Sequence, residues 1–138
     1  MAKYLTDEWM DMAKAEAQSF PEKPGATAKM QYVVTGAPDD LANAEAEGGK
    51  AIEYYMTIDN GKVLEQARGK LDDAEVTLTQ SWEDSVKVQK GELDANAAFM
   101  QGRVKVGGNM AKVMSLLPLT QSPEYKDIQE RVRQNTEY

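Results

Sequence analysis

Residues 91–117 read GELDANAAFMQGRVKVGGNMAKVMSLL, and their pattern organises the predicted fold. Gly91 comes after a segment with two lysines, which is typical of a helix end. Cations there complement the carbonyl end of the helix dipole, and glycine adopts the left-handed conformation beyond it. Asp94 can then cap a short helix over residues 95–101 that Gly102 closes. The stretch therefore begins with one helix ending and another starting.

A short strand and a second helix complete the same stretch. In residues 103–106, basic residues alternate with valines, which is the pattern of a half-buried strand. Gly107 and Gly108 are expected to break this strand, and Asn109 can cap the helix that follows. Apolar residues at helical spacing predict one inward stripe, with Pro118 ending the helix. The stripe consists of Met110, Val113, Met114 and Leu117.

The order of these elements resembles the C-terminal half of the sterol carrier protein 2 (SCP2) lipid-binding family. Residues 98–110, AFMQGRVKVGGNM, carry the resemblance most closely. Residues 74–91, AEVTLTQSWEDSVKVQKG, are similar to the strand and helix that precede that segment in the family. The resemblance covers residues 30–117 and indicates a stand-alone member of the bacterial type. It implies a hydrophobic tunnel for a lipid between a sheet and a layer of helices.

Composition limits the classes of function. The chain of 138 residues suits one domain, and it contains neither cysteine nor histidine. Disulfides and thiolate metal sites are therefore excluded, and the commonest general base is missing, which disfavours an enzyme. No cofactor and no metal are predicted. The net charge of −7 opposes binding to phosphate backbones, so nucleic acid is not a predicted partner.

The sequence has no run of about 18 apolar residues, as a membrane-spanning helix would need. Residues 1–11 lack the apolar core of a signal peptide. We therefore expect a soluble, cytoplasmic protein without stable membrane insertion. Peroxisomal members of the resembled family end in a short targeting tripeptide, which residues 135–138, NTEY, do not match.

Alternation of apolar residues predicts five strands. They cover residues 29–35, 51–59, 62–68, 74–79 and 103–106. Asn60 and Gly61 tolerate positive φ, so they predict a type I′ turn between the second and third strands, which then form an antiparallel hairpin. Residues 36–50 predict a loop with a frayed helical turn near Leu41.

Capping residues predict further helices. Thr6 can cap the first helix, and Ser81 with Asp84 has the spacing of a capping box. Ser122 precedes Pro123, which suits the first position of the last helix. The elements together predict an α+β fold in which a five-stranded, mostly antiparallel sheet is covered on one face by about five helices.

We expect one SCP2-like domain over residues 1–138. Its predicted parts are an N-terminal helix and linker (1–27), a sheet meander (28–80), a helix-strand-helix unit (81–119) and a C-terminal helix (120–138).

The predicted site is an apolar tunnel between the sheet and the helices. Nine residues are expected to face inward and bind the ligand: Trp82, Val86, Phe99, Met100, Val104, Met110, Val113, Met114 and Leu117. Methionine suits such a site because its unbranched thioether chain can repack around guests of different shape. Periodicity alone is more typical of an ordinary filled core. With the resemblance, it predicts binding, and transfer or presentation, of a fatty acid, acyl thioester or sterol.

A head-group site is predicted where the last strand meets the helix after it. Backbone N–H groups of Gly107, Gly108 and Asn109 could receive a carboxylate or phosphate, with Arg103 or Lys105 nearby. The alternative is a tight turn in which the glycines only permit the backbone path. The absence of a phosphate-loop pattern favours this alternative.

Two other classes of function stay open. A tyrosine beside a neutral carboxylic acid could polarise a ligand carbonyl, as isomerisation of a steroid-like substrate requires, and the candidates are Tyr32, Tyr54 and Tyr55. The candidate acids at residues 72–73 and 83–84 are more typical of a solvated turn and of a helix start. An unprotected sheet edge could instead pair with a second copy, which predicts a homodimer or an interaction module without a ligand.

Overall fold

The structure, a computed structural model, describes residues 1–46 and 48–138. Its helices are α1 (Asp7–Ala17), α2 (Trp82–Gln89), α3 (Ala95–Met100), α4 (Met110–Thr120) and α5 (Pro123–Gln134). Its strands are β1 (Ala2–Lys3), β2 (Ala28–Thr35), β3 (Ala44–Ala46), β4 (Gly49–Asp59), β5 (Lys62–Arg68), β6 (Val76–Ser81), β7 (Lys105–Gly108) and β8 (Thr136–Glu137). The predicted α+β class is confirmed.

The main sheet has six strands within the described ranges, one more than predicted. Its order is β3-β4-β2-β6-β7, and β5 also pairs with β4. Within this sheet only the pair β2 and β6 is parallel, so the mostly antiparallel sheet is confirmed. The additional strand β3 lies in residues predicted as a loop, because its sequence AEA has neither β-branched nor aromatic residues. It forms because the long strand β4 starts at Gly49 and offers it backbone partners.

The predicted hairpin is confirmed in its turn and its register. Asn60 and Gly61 both have positive φ, of 48° and 84°, and Asp59 pairs with Lys62. A side chain at Gly61 would also meet the backbone nitrogen of Lys23 at 2.9 Å. The turn therefore needs glycine for its conformation and for the close approach of the segment before β2.

All five predicted helix caps are present. In each case the side-chain oxygen of the capping residue accepts a hydrogen bond from the backbone N–H three residues later, as in Trp9 N–H to Thr6 Oγ1 at 3.2 Å. The capping residues are Thr6, Ser81, Asp94, Asn109 and Ser122. Each satisfies a donor that a helix start leaves without an intrahelical partner.

The prediction that Pro118 ends α4 is wrong by two residues. Pro118 lies inside the helix, which continues to Thr120. The bond that proline cannot donate would go to the carbonyl of Met114, whose side chain is 54% exposed, on the solvent side of the helix. After Pro118 the last turn closes with hydrogen bonds between residues three positions apart, from Gln121 N–H to Pro118 O at 3.3 Å and from Ser122 N–H to Leu119 O at 3.2 Å.

Two clusters of buried side chains join the helices to the sheet. One contains residues of α1, α5 and the N-terminal segment, and the other contains residues of β2, β6 and α4. Tyr32 and Leu119 contact both clusters. The chain ends are also joined, because β1 and β8 pair in parallel and the Trp9 indole N–H donates to Thr136 Oγ1 at 2.9 Å. No helix in the described ranges is long and apolar enough to cross a membrane.

Candidate functional site

A cavity of about 330 Å³ lies between the main sheet and the helices. All five helices contribute to its wall, together with β2, β4, β5 and β6. Its volume falls within the range of roughly 300–1,000 Å³ that is usual for small-molecule sites. The interior of the protein therefore has room for a ligand.

The sheet wall follows from alternation along the strands. Side chains two residues apart share a face, so β2, β4 and β6 present every second residue to the cavity. On β5 the wall residues Val63 and Gln66 are three positions apart, because the pairing of β5 with β4 contains an irregularity. The register places Met30 opposite Met56 and Tyr32 opposite Tyr54. The sheet residues on the cavity wall are Met30, Tyr32, Tyr54, Met56, Ile58, Val63, Gln66, Leu78 and Gln80.

The helical wall follows from the helical period. On α5, the wall residues Tyr125, Ile128, Gln129 and Val132 recur at i, i+3, i+4 and i+7. The helix α4 shows the same spacing in Val113, Leu116, Leu117 and Thr120. Two helices thus present one apolar stripe each, with a polar side chain among its members.

No charged side chain lies on the cavity wall in the described ranges. The polar groups there are tyrosine hydroxyls, one serine, one threonine and side-chain amides. The amides belong to Gln66, Gln80, Gln89, Asn96 and Gln129. Among the same described residues, no group of three acidic side chains could hold a metal ion. The wall can therefore bind hydrocarbon and donate neutral hydrogen bonds.

Four tyrosines reach the cavity from different elements. Tyr32 and Tyr54 stack with ring centroids 4.7 Å apart and planes within 4°. Tyr4 shares a hydrogen bond of 2.6 Å with Ser85 Oγ, and Tyr125 lies on α5. Burial raises the pKa of all four hydroxyls above the ordinary tyrosine value, since a phenolate would lose its hydration. They are therefore neutral donors and acceptors at physiological pH.

Four of the nine predicted ligand residues lie on this wall: Phe99, Val104, Val113 and Leu117. Trp82 and Val86 instead pack against the cluster of α1, α5 and the N-terminal segment. The Trp82 ring lies 5.6 Å from that of Tyr4. These two side chains therefore belong to the core and are not among the wall residues.

The prediction that the remaining three residues face inward is wrong. Met100, Met110 and Met114 are 81%, 48% and 54% exposed. The physical reason on α4 is that the helix is apolar on more than one face, so its sequence contains two overlapping stripes. One stripe is the predicted one, and the other consists of Val113, Leu116, Leu117 and Thr120. The second stripe faces the cavity in the structure. Met100 ends the short helix α3 at the surface.

The four predicted head-group residues lie away from the cavity wall. The Arg103 guanidinium donates to Asp84 Oδ1 at 3.0 Å, and Asn109 caps α4 with its own side chain. Gly107 and Gly108 do not break the strand as expected, because they belong to β7 and pair with Thr77 and Val76. The head-group role stays a prediction.

The close approach of two backbone segments explains why residue 108 is a glycine. At Gly108, φ is 96° and an added Cβ would lie 2.3 Å from the carbonyl oxygen of Glu75. The same oxygen accepts the N–H of Asn109 at 2.9 Å. This geometry fits the alternative of a tight turn in which glycine permits the backbone path.

The isomerase hypothesis requires a tyrosine and a neutral carboxylic acid side by side in the cavity. Tyr54 lies on the cavity wall, whereas the alternation of β4 puts Tyr55 on the other face, near Glu65. Neither Asp nor Glu lies on the wall in the described part of the chain. The neutral carboxylic acid that the hypothesis requires beside a tyrosine is therefore not found there.

Sequence reasoning missed most of the sheet wall and the contributions of α1 and α5. The signal for the sheet was present, because Met30 and Tyr32 alternate on β2 as Tyr54, Met56 and Ile58 do on β4. Those alternations identified strands, but they do not tell whether an inward residue meets a core or a cavity. The pairing of distant strands and helices decides that.

Comparison with known sequences identifies a family model, the SCP-2 sterol transfer family, that matches residues 13–121. Sterol carrier protein 2 of Rattus norvegicus is 32% identical over 82 residues, which are 58% of this chain and 14% of that protein. Sterol carrier protein 2 of Homo sapiens is 32% identical over 81 residues, with shares of 57% and 14%. The matched segment is thus a small part of the length of these relatives.

Solved structures share the fold. A crystal structure of sterol carrier protein 2 matches with a TM-score of 0.69 at 14% identity, covering 95% of this chain and 98% of that chain. A conserved hypothetical protein of Thermus thermophilus gives 0.61 at 14% identity, with coverage of 100% and 93%. Palmitated SCP2L2 of Aedes aegypti gives 0.56 at 16% identity, with coverage of 83% and 89%. At these identities the likeness establishes the fold.

Proposed function

Because the chain belongs to the SCP-2 sterol transfer family, we propose that it binds one lipid-like molecule in its internal cavity and carries or presents it. The observation that carries the proposal is the cavity itself, a space of about 330 Å³ with a wall that is mostly apolar and has no charged side chain in the described ranges. Such a wall suits a hydrocarbon chain and does not need a catalytic group.

Burial of hydrocarbon can supply the affinity. At about 0.8 kcal/mol per buried methylene, a dozen methylenes contribute roughly 9–10 kcal/mol before the costs of ordering the ligand and the protein. The side chains proposed to contact the hydrocarbon of the ligand are those that the sequence predicted and that lie on the wall, namely Phe99, Val104, Val113 and Leu117. Met30 and Met56 face them from the sheet and can adapt to guests of different shape.

Native mass spectrometry of protein purified without detergent tests the proposal. Hexadecanoate is a suitable first probe, since one protein with this fold is known in a palmitated form. We expect one lipid per chain, either retained from the cell or taken up on addition of hexadecanoate or hexadecan-1-ol. A chain that takes up neither probe and retains no lipid would contradict the proposal. An empty dimer would favour the interaction module instead.

A further inference from the structure

We infer that a surface groove beside the C-terminal end of α4 is the entrance through which the lipid reaches the cavity, and that Leu119 is its gate. The inference rests on the proposed function and adds to it the route of the ligand and the residue that controls the rate of exchange. The observation that carries it is that Leu119 lies on the wall of the groove and also on the wall of the cavity.

The groove has a volume of about 400 Å³. Residues 23–26 form one side of it, and Ser115, Pro118, Leu119 and Ser122 form the other side. Leu119 is the residue that the two walls share within the described ranges. Its side chain is half-buried and packs against both clusters of buried side chains. The groove and the cavity therefore meet at this side chain.

The side formed by residues 23–26 is held on the turn of the β4–β5 hairpin. Lys23 N–H donates to Asn60 O at 2.7 Å, and Gly61 N–H donates to Ala26 O at 2.9 Å. Gly61 itself lies on the cavity wall. This side of the groove is therefore fixed to the sheet.

The side formed by α4 has fewer restraints. Pro118 has no backbone N–H, and the last turn after it closes with hydrogen bonds between residues three positions apart. In the described part of the chain, no hydrogen bond or ion pair joins residues 115–122 to residues 23–26. Lys112 Nζ does donate to Thr27 O at 3.2 Å, but near the start of α4. Local opening at the end of α4 therefore breaks apolar contacts and leaves the polar ones intact.

A hydrocarbon chain can take the place of the leucine side chain during passage. When Leu119 turns aside, it gives up apolar contacts, and the ligand replaces them with contacts of the same kind. Such a gate changes the barrier between the free and the bound state, but not the two states themselves. Its removal or obstruction should therefore alter the association rate and the dissociation rate together.

The absence of cysteine from the chain allows the groove to be blocked at one chosen position. Ser115→Cys places the only thiol on the groove, where a maleimide that carries a polyethylene glycol chain can be attached. The probe is parinarate, a fluorescent long-chain fatty acid, whose association and dissociation are measured by stopped flow before and after attachment. We expect both rates to fall about tenfold or more on attachment. Met100→Cys is the matched control, because Met100 is 81% exposed and lies on neither wall.

Slower exchange in labelled Ser115→Cys, but not in labelled Met100→Cys, would support the entrance. Unchanged rates in both proteins, or equal slowing in both, would overturn it. An unchanged association rate with a loss of affinity would also overturn it, since the label would then displace a ligand that rests in the groove. Failure of the parent chain to bind parinarate at all would contradict the proposed function, and the inference with it.

Leu119→Ala tests the gate itself. Removal of most of the side chain should raise the association and dissociation rates of parinarate about three- to tenfold. Leu117→Ala is the control, because Leu117 lies on the cavity wall but not on the groove. It should raise the dissociation rate alone, since it removes contacts with the bound ligand. Equal association rates in the two variants would contradict the role of Leu119. Urea denaturation checks that both variants are folded, and Leu119→Val makes the same comparison with a smaller change if Leu119→Ala is not.

Discussion

The sheet wall and the α4 wall of the cavity differ in how strictly the sequence selects the inward side chains. On β4, Tyr54, Met56 and Ile58 alternate with polar residues, so only one set can face the helices. On α4, apolar residues occupy more than one face, so two stripes fit the helical period equally well. The difference teaches that a period identifies a buried face only when the opposite face is polar.

Alkaline unfolding gives the largest expected effect and involves both walls. Burial raises the pKa of Tyr32 and Tyr54 on the sheet, and of Tyr4 and Tyr125 on the helical side. A raised folded pKa favours the neutral form, so the stabilisation is complete below about pH 10 and is lost as pH rises above it. Each pH unit above about 10 should lower the free energy of unfolding by about 1.4 kcal/mol per buried tyrosine.

Denaturant titrations at about pH 8 and pH 11 would measure this loss, and Tyr54→Phe should show about 1.4 kcal/mol less of it. Ionisation of all the tyrosines near pH 10 in the folded protein, detected by tyrosinate absorbance, would instead mean that water reaches both walls freely.

Gly108→Ala tests the edge at which the sheet meets the start of α4. The added Cβ would lie 2.3 Å from the Glu75 carbonyl oxygen, and φ of 96° is unfavourable for alanine. We expect a loss of about 2–4 kcal/mol in the free energy of unfolding, measured by urea denaturation. Gly107→Ala is the control, since a Cβ there meets nothing within 4 Å. Equal losses in the two variants would contradict the proposed role of the close approach.

Leu117→Trp and Met114→Trp test which stripe of α4 faces the cavity. Leu117 lies on the wall, so the larger ring should fill ligand space and reduce affinity for hexadecan-1-ol about tenfold or more. Met114 is 54% exposed, so the same substitution there should leave affinity within about twofold. Affinities are measured by displacement of a neutral fluorescent probe. A larger loss of affinity in Met114→Trp than in Leu117→Trp would support the stripe that the sequence predicted.

Asn109→Ala has the smallest expected effect and separates a cap from a head-group site. Removal of the side chain that accepts the Lys112 N–H should lower the free energy of unfolding by about 1 kcal/mol. Affinity for hexadecanoate and hexadecan-1-ol should not change, because Asn109 lies away from the cavity wall. A drop in hexadecanoate affinity with stability preserved would support the predicted head-group role.

Local signals predicted a large part of the fold. The five caps, the Asn60-Gly61 turn and the alternation of β2, β4, β5 and β6 depend on residues close together in the chain. The short strands β1, β3 and β8 could not be predicted, since they contain two or three residues each and form only because a partner segment lies beside them.

The sequence by itself determined where the helices begin, which strands form the hairpin and that the interior has no cysteine or histidine chemistry. Those features follow from backbone geometry and side-chain type within a few residues. Only the tertiary structure decided which stripe of α4 faces inward and that Tyr4, Tyr32, Tyr54 and Tyr125 meet in one cavity. Their meeting depends on the pairing of β2 with β4 and on the packing of α5 over the sheet, which are contacts between residues far apart in the chain.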